Sequence, residues 1–169
     1  MKTQPFFKTL MVILFGTLLL WNVGCRSTDN DDDEEDDTEL VKGKCNIEAE
    51  ITGDMTAYFQ SDLNFSAMTV ASGYYSLAGS DGSSAFAIVI PENIAKGTYT
   101  MSDSAIGPGT QFGYTGANFG YVASKNLNSD ITITITASGN GIIEGYFTGK
   151  MKNLDDDIIN VNVDFVGAY

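Results

Sequence analysis

The chain has 169 residues, 22 acidic and nine basic side chains, and a formal net charge of −13. It contains no histidine, which excludes Ser-His-Asp and Cys-His catalysis, imidazole metal ligands and a histidine pH switch. The acidic charge repels nucleic-acid phosphates, so we expect no nucleic acid among its partners.

The N-terminal segment has the pattern of an export signal. Lys2 and Lys8 precede an apolar run over residues 10–21, and a small residue stands before Cys25. The run is shorter than the roughly 20 residues that a membrane-spanning helix needs. An uncleaved anchor helix is the alternative, but polar and small residues end the run too early for it. We therefore predict a cleaved signal peptide over residues 1–24.

The cysteine at the predicted cut resembles that of a bacterial lipoprotein signal. This resemblance implies that Cys25 carries lipid, so the first partner of the mature chain would be a membrane. Asn22 occupies the position where bacterial lipoproteins usually have leucine, and the sequence is similar to the looser form of Bacteroidota. Arg26 follows the cysteine instead of the aspartate that retains enterobacterial lipoproteins at the inner membrane. The resemblance therefore favours the outer membrane.

An acidic run follows, with nine carboxylates within residues 29–39. Such dense like charges repel one another and include no apolar group to bury, so we expect residues 25–42 to form a disordered tether. One interpretation is a solvated spacer. The other is an export tag, because the run resembles the acidic patch of Bacteroidota lipoproteins sent to the outer face of the cell.

The remaining residues, 43–169, predict a single all-β domain. Apolar and polar residues alternate with period two, as in half-buried strands, and Gly-, Asn- and Asp-rich turns separate the alternating segments. About ten short strands of this kind indicate an antiparallel β-sandwich or a partly closed β-barrel. The predicted strands cover residues 45–51, 55–60, 63–71, 74–78, 86–90, 98–102, 120–124, 131–136, 142–150 and 159–165.

Two segments depart from simple alternation. Residues 86–90 are apolar throughout, which predicts a central strand covered on both sides. Residues 91–96 begin with proline and precede Gly97, which allows one helical turn at most.

The second half of the chain resembles a known domain. Gly97-Thr98-Tyr99, an Ile-Thr-Ile strand over residues 131–136, Gly145-Tyr146-Phe147 and a closing strand over residues 161–169 occur in this order. The pattern is similar to a domain of unknown function in small Bacteroidota lipoproteins, and the similarity covers residues 86–169 best. It implies a β-rich fold and a location in the cell envelope, and it supplies no catalytic residues.

Cys45 would have no partner within the mature chain once Cys25 carries lipid. We expect its thiol to be buried as a small apolar group. The alternatives are an intermolecular disulfide or a reactive thiol.

Two sets of carboxylates could carry chemistry. Glu48 and Glu50 lie two residues apart on one predicted strand, about 6.6 Å apart on the same face. This spacing suits inverting glycoside hydrolysis, but it equally suits the solvated side of a strand. Asn153, Asp155 and Asp157 alternate like the start of a calcium loop, although Ile158 replaces the glycine that such a loop needs and a hairpin turn fits better.

The aromatic residues within residues 107–121 are the candidate ligand-binding site. This stretch mixes rings with glycine, threonine and amide side chains, so the rings could stack on a sugar or a peptide if the loop is exposed. The alternative is that the same rings fill the core between glycine turns. The four candidates are Phe112, Tyr114, Phe119 and Tyr121.

These features predict a lipid-anchored envelope protein whose domain is a monomeric, non-catalytic binding module. Its second partner would be a glycan or an envelope protein, and we expect no cofactor. The alternative is a structural envelope component without a small ligand, and an enzyme is the third hypothesis.

Overall fold

Alternating residues form strands throughout the computed structural model, which describes residues 40–127 and 129–169. The described part contains eleven antiparallel strands and two single-turn 3-10 helices, Leu63–Phe65 and Lys125–Leu127. The predicted all-β fold is confirmed. The strands are β1 Cys45–Gly53, β2 Ala57–Gln60, β3 Ser66–Ala71, β4 Tyr74–Ser80, β5 Ser84–Pro91, β6 Gly97–Thr100, β7 Gln111–Gly116, β8 Phe119–Ser124, β9 Ile131–Gly139, β10 Ile142–Lys152 and β11 Ile158–Ala168.

The predicted signal peptide, the lipidation site Cys25 and the acidic run over residues 29–39 lie outside the described residues. Within the described part of the chain, no helix has the length and apolarity needed to cross a membrane.

The strands form two runs that curl into one sheet. The first run has the order β2-β1-β11-β10-β9-β6, and the second has the order β8-β7-β5-β4-β3. One bridge between Lys152 and Val122 joins them at one side. At the other side the Met68 N–H donates to the Gly43 carbonyl at 2.8 Å, next to the start of β1. The result is a partly closed barrel, one of the two architectures that the sequence predicts.

Aromatic rings join the two runs inside the barrel. Phe147 of the first run lies 4.3 Å from Phe112 and 6.0 Å from Phe86 of the second, measured between ring centroids. Phe59 of β2 lies 5.7 Å from Phe86 and 6.0 Å from Tyr114. Aromatic contacts at such distances add to the burial of apolar area. The two runs therefore share one core.

Two glycines lie where the runs approach each other closely. A Cβ added at Gly167 in β11 would lie 3.0 Å from Leu77 and Met68 side-chain atoms. A Cβ added at Gly79 in β4 would lie 2.5 Å from the Cβ of Ser61. The missing side chains let β11 pack closely against Leu77 and Met68, and let the residue after β2 pack against β4.

Three details of the predicted elements were wrong. Residues 111–116 form a strand that the glycine-rich sequence concealed. Residues 63–65, predicted to begin a strand, instead form the first 3-10 helix. The strand around residues 86–90 lies inside its run, but its outward residues are only half-buried, because no second layer covers this face of the sheet.

Cys45 is fully buried, as the sequence predicts for a small apolar group. Its Sγ lies 3.4 Å from the Ala67 carbonyl oxygen and 3.3 Å from that of Ala78. Burial raises the pKa of the Cys45 thiol from 9.0 to about 11, although the backbone carbonyls and Lys44 act in the opposite direction. Because the thiolate is the reactive form, both the burial and the raised pKa of Cys45 disfavour reaction of this thiol in the folded protein.

Tyr75 is the second buried group with a raised pKa. Its ring lies 4.8 Å from that of Tyr169, and its hydroxyl donates to the Tyr169 hydroxyl at 2.9 Å. Burial, followed by this hydrogen bond, raises the pKa of Tyr75 from 10.0 to about 12. Both Tyr75 and Cys45 are therefore held in the neutral form by folding.

We expect the free energy of unfolding to fall at alkaline pH. A raised folded-state pKa means that stability is fully present below the unfolded value and is lost as pH rises through the folded value. Cys45 contributes a decline between about pH 9 and 11, and Tyr75 one between about pH 10 and 12. Urea melts across this range measure the decline, and Tyr75→Phe should make it shallower above pH 10. A stability that stays constant from pH 9 to 12 would contradict this assignment.

Candidate functional site

The predicted aromatic site is not an exposed platform. The side chains of Phe112, Tyr114 and Tyr121 are buried in the core. Phe119 is partly buried and packs against them, with its ring centroid 5.1 Å from Tyr114 and 6.2 Å from Tyr121. The expectation that these rings lie on an exposed flexible loop was wrong, and the alternative that they fill the core is correct.

The reason is that residues 111–124 form the hairpin of β7 and β8. Tyr114 pairs in register with Phe86 on one side and with Tyr121 on the other. These residues therefore point to the same face of the sheet, and that face is the interior of the barrel. The surrounding glycines belong to strands and to the hairpin turn.

The uncovered polar surface is the outer side of the first run. Glu48 and Glu50 both lie there, as expected for alternate residues of one strand. Register places Asp164 of β11 beside Glu48 and Asn162 beside Glu50. We call this surface, on β2, β1, β11 and β10, the outer polar face.

Two exposed tyrosines border the outer polar face. Tyr58 on β2 is 62% exposed, and Tyr146 on β10 is 42% exposed. Tyr58 aligns with Glu50, Asn162 and Thr148, and Tyr146 lies two residues before Thr148. Three strand spacings and two residues along a strand separate the tyrosines by about 16 Å. The polar side chains between them lie on neighbouring strands of one continuous sheet.

Glu48 is the centre of the polar contacts on this face. Its carboxylate oxygens lie 3.3 Å from Gln60 Nε2, 3.4 Å from Asn46 Nδ2 and 3.5 Å from the Tyr58 hydroxyl. All three partners are neutral, so the negative charge of Glu48 is not compensated by them. Desolvation, followed by the charges of Glu48 and Glu50, raises the pKa of Tyr58. The face therefore favours hydroxyl and amide donors or cations, and it disfavours anions.

A shallow depression of about 290 Å³ lies beside these residues. At its edge Lys150 Nζ lies 4.0 Å from an Asp130 carboxylate oxygen, both side chains being largely exposed. An exposed pair of this kind contributes little stability, so both groups are available to a ligand. The depression is lined by Glu50, Thr52, Asp130, Thr148, Gly149, Lys150, Asn160, Val161 and Asn162.

The residues considered for calcium form the turn between β10 and β11. The Asn153 side-chain oxygen accepts 2.9 Å hydrogen bonds from the backbone N–H groups of Asp155 and Asp157. Its Nδ2 donates to the Asp157 carboxylate at 2.8 Å. The asparagine therefore holds a hairpin turn. Within the described residues, no group of three or more Cys, Asp or Glu side chains is placed to hold a metal ion.

The sequence contained a signal for Tyr58 and Tyr146 that our predictions did not use. Each tyrosine precedes a buried phenylalanine, Phe59 or Phe147, within an alternating segment. Strict alternation places the two members of such a pair on opposite faces, so one of the two rings had to be outside.

Comparison of the chain with protein-family models, with curated proteins and with solved structures finds no match.

Proposed function

We propose that the protein is a lipid-anchored component of the cell envelope whose β domain is a non-catalytic binding module. The anchor is supported by the sequence, in which Cys25 follows a short apolar run. The resemblance of residues 86–169 to a domain of small lipoproteins supports the same location. The outer membrane, with the domain facing the cell exterior, is the proposed site.

One observation carries the proposed binding role. Two large rings, Tyr58 and Tyr146, stay exposed on a sheet face whose other members between them are polar, while apolar residues such as Ile142 and Val166 lie towards the end of the face. A solvated sheet face does not need aromatic rings, whereas rings spaced along a row of hydrogen-bonding groups suit a polyhydroxylated ligand. Glu48, Asn162 and Thr148 would supply hydrogen-bond acceptors and donors between the rings. A glycan is therefore the ligand class that we propose, and an envelope protein is the second candidate.

The binding role can be tested with immobilised polysaccharides. The probes are β-glucan, xylan, chitin and mannan, and we expect at least one to retain the protein. Tyr58→Ala and Tyr146→Ala should each weaken retention about tenfold or more, as the loss of a stacked ring does. Both variants should keep the unfolding free energy within about 1 kcal/mol, because the side chains are exposed.

Leu154→Ala is the matched control. Leu154 is a similarly exposed apolar residue in the β10–β11 turn, away from the outer polar face. Its replacement should leave retention unchanged. If none of the four polysaccharides retains the protein, and chemical crosslinks connect this face to one envelope protein, then that protein is the ligand and the glycan is not. Failure of both experiments would favour a structural component without a ligand.

The anchor is tested on the membrane fraction. Mass spectrometry should find diacylglyceryl-Cys25 as the first residue of the mature protein. Cys25→Ala should abolish lipid labelling and release the chain from the membrane. A mature protein that begins elsewhere, or a Cys25→Ala variant that remains lipid-labelled, would refute the anchor.

The acidic run requires a separate experiment. If residues 31–37 are an export tag, replacing their acids with Asn and Gln should preserve lipidation. The same change should protect the protein from a protease that is added to whole cells, because the domain would no longer reach the cell surface. Unchanged digestion would assign the run to a spacer.

A further inference from the structure

One row of outward side chains crosses six neighbouring strands of the first run. The row begins at Tyr58 on β2, crosses the outer polar face and continues over β9 to Thr100 on β6. Five strand spacings make it about 24 Å long, measured along the sheet. All its members are exposed, and we call it the cross-strand row. They are Tyr58, Glu50, Asn162, Thr148, Thr132 and Thr100.

The half of this surface on β9 and β6 carries threonine hydroxyls in place of carboxylates. Thr132 and Thr100 of the row lie beside a second threonine pair, Thr134 and Thr98, whose Oγ1 atoms are 2.9 Å apart. Threonine is common in strands, so these hydroxyls by themselves would not indicate a ligand. They continue, however, the row that begins with the exposed Tyr58 ring. One extended ligand can therefore contact an aromatic ring and a series of hydroxyls in succession.

The uncovered polar face is longer across the strands than along them. β2 and β6 have four residues each, so each contributes only two outward side chains. Along β10 and β11 the polar character ends at Ile142 and Val166. The shallow depression follows the row, because its lining includes Glu50, Asn162 and Thr148. A ligand chain therefore finds the longest series of polar contacts by lying across the strands.

Both ends of the cross-strand row reach an edge of the sheet. Among the described strands, β2 pairs only with β1, and β6 pairs only with β9. Tyr58 at one end and Thr100 at the other are both exposed. A polymer that lies on the row can therefore continue beyond both edges.

From these observations we propose that the cross-strand row binds the interior of an uncharged polysaccharide chain that lies across the strands. This inference rests on the proposed glycan-binding function. One sugar ring stacks on Tyr58, and later sugars exchange hydrogen bonds with the asparagine and threonine side chains, which both donate and accept as sugar hydroxyls do. The Glu50 carboxylate accepts hydrogen bonds from hydroxyls but repels the carboxylates of an acidic polysaccharide. Because all the contacts act on one chain, they reinforce one another, and the affinity increases with chain length.

The test compares ligands of different length by isothermal titration calorimetry on the mature protein in detergent. The probes are the disaccharide and the hexasaccharide of β-glucan, xylan, chitin and mannan, and polygalacturonate is the acidic polymer. We expect at least one hexasaccharide to bind about tenfold more tightly than its disaccharide. Polygalacturonate should not bind.

A double variant, Thr100→Val with Thr132→Val, tests the end of the row away from the tyrosine. Valine keeps the shape of threonine and suits a strand, so circular dichroism should show an unchanged fold. The loss of two hydroxyls should weaken hexasaccharide binding about fivefold. Thr69→Val is the matched control, because Thr69 is an exposed strand residue of β3 in the second run, and it should leave the affinity unchanged.

Equal affinity for disaccharide and hexasaccharide would overturn the proposal, as would tight binding of polygalacturonate. An unchanged hexasaccharide affinity in a folded double variant would do the same. If the double variant does not fold, the dependence on chain length still decides. A protein that binds none of the four polysaccharides refutes the proposed function together with the row, whereas a protein that binds one of them without these effects refutes the row alone.

Discussion

Ile133→Asp is expected to unfold the domain. Ile133 is 1% exposed, and its strand lies between β10 and β6, in register with Phe147 and Tyr99. An aspartate there would lose its hydration without gaining a cationic partner, which costs several kcal/mol. Domains of this size have a total stability of about 5–15 kcal/mol. Circular dichroism should therefore show loss of the β spectrum, and urea melts should show no native baseline.

Thr132→Asp is the control for the introduced charge. Thr132 is the neighbouring residue of β9 and lies exposed on the opposite face, aligned with Thr148 and Thr100. Its replacement should change the unfolding free energy by about 0.5 kcal/mol or less. If both variants fold normally, or if both unfold, the assignment of inner and outer faces in β9 is wrong.

Phe112→Ala should lower the unfolding free energy by about 3–5 kcal/mol, the usual cost of truncating a buried aromatic ring. Phe112 is 0% exposed, and its ring is 4.3 Å from that of Phe147 in the opposite run. The truncation would leave a cavity where the two runs meet, and their close packing elsewhere limits how far they can collapse into it. A denaturant melt measures the loss directly.

Phe65→Ala makes the same chemical change at an exposed position. Phe65 is 62% exposed at the end of the first 3-10 helix, so its truncation should cost about 1 kcal/mol or less. The difference between the two variants isolates the contribution of burial. A Phe112→Ala variant as stable as Phe65→Ala would return Phe112 to the list of candidate ligand contacts.

Local patterns were sufficient to predict most of the strands. Ile131, Ile133 and Ile135 alternate with threonines, and all three isoleucines are buried. The same logic placed Cys45 in the core. In residues 111–116 the pattern failed, because Gly113 and Gly116 interrupt the alternation and are typical of turns. The buried Gly113 instead pairs with Ala87 and Val122 inside the sheet.

The sequence predicted the carboxylates Glu48 and Glu50 of the candidate site but not its two exposed rings. Aromatic residues among glycines suggested an exposed loop at Phe112 and Tyr114, whereas Tyr58 and Tyr146 were not among the predicted ligand contacts. Composition cannot separate these cases, because a ring in a strand is buried or exposed according to which face of the sheet the rest of the chain covers.

The sequence by itself determined which segments extend, where they turn and which side of most strands is apolar, since these properties depend on residues close together in the chain. Only the tertiary structure decided which strands pair. β1 pairs with β11 from the other end of the domain, and β9 and β8 both meet β10. Every strand offers the same backbone donors and acceptors along its edges, so pairing depends on how the side chains of distant segments fill one core. That arrangement also decided that Phe147 lies inside the barrel while Tyr146 remains outside, beside the carboxylates of β1 and β11.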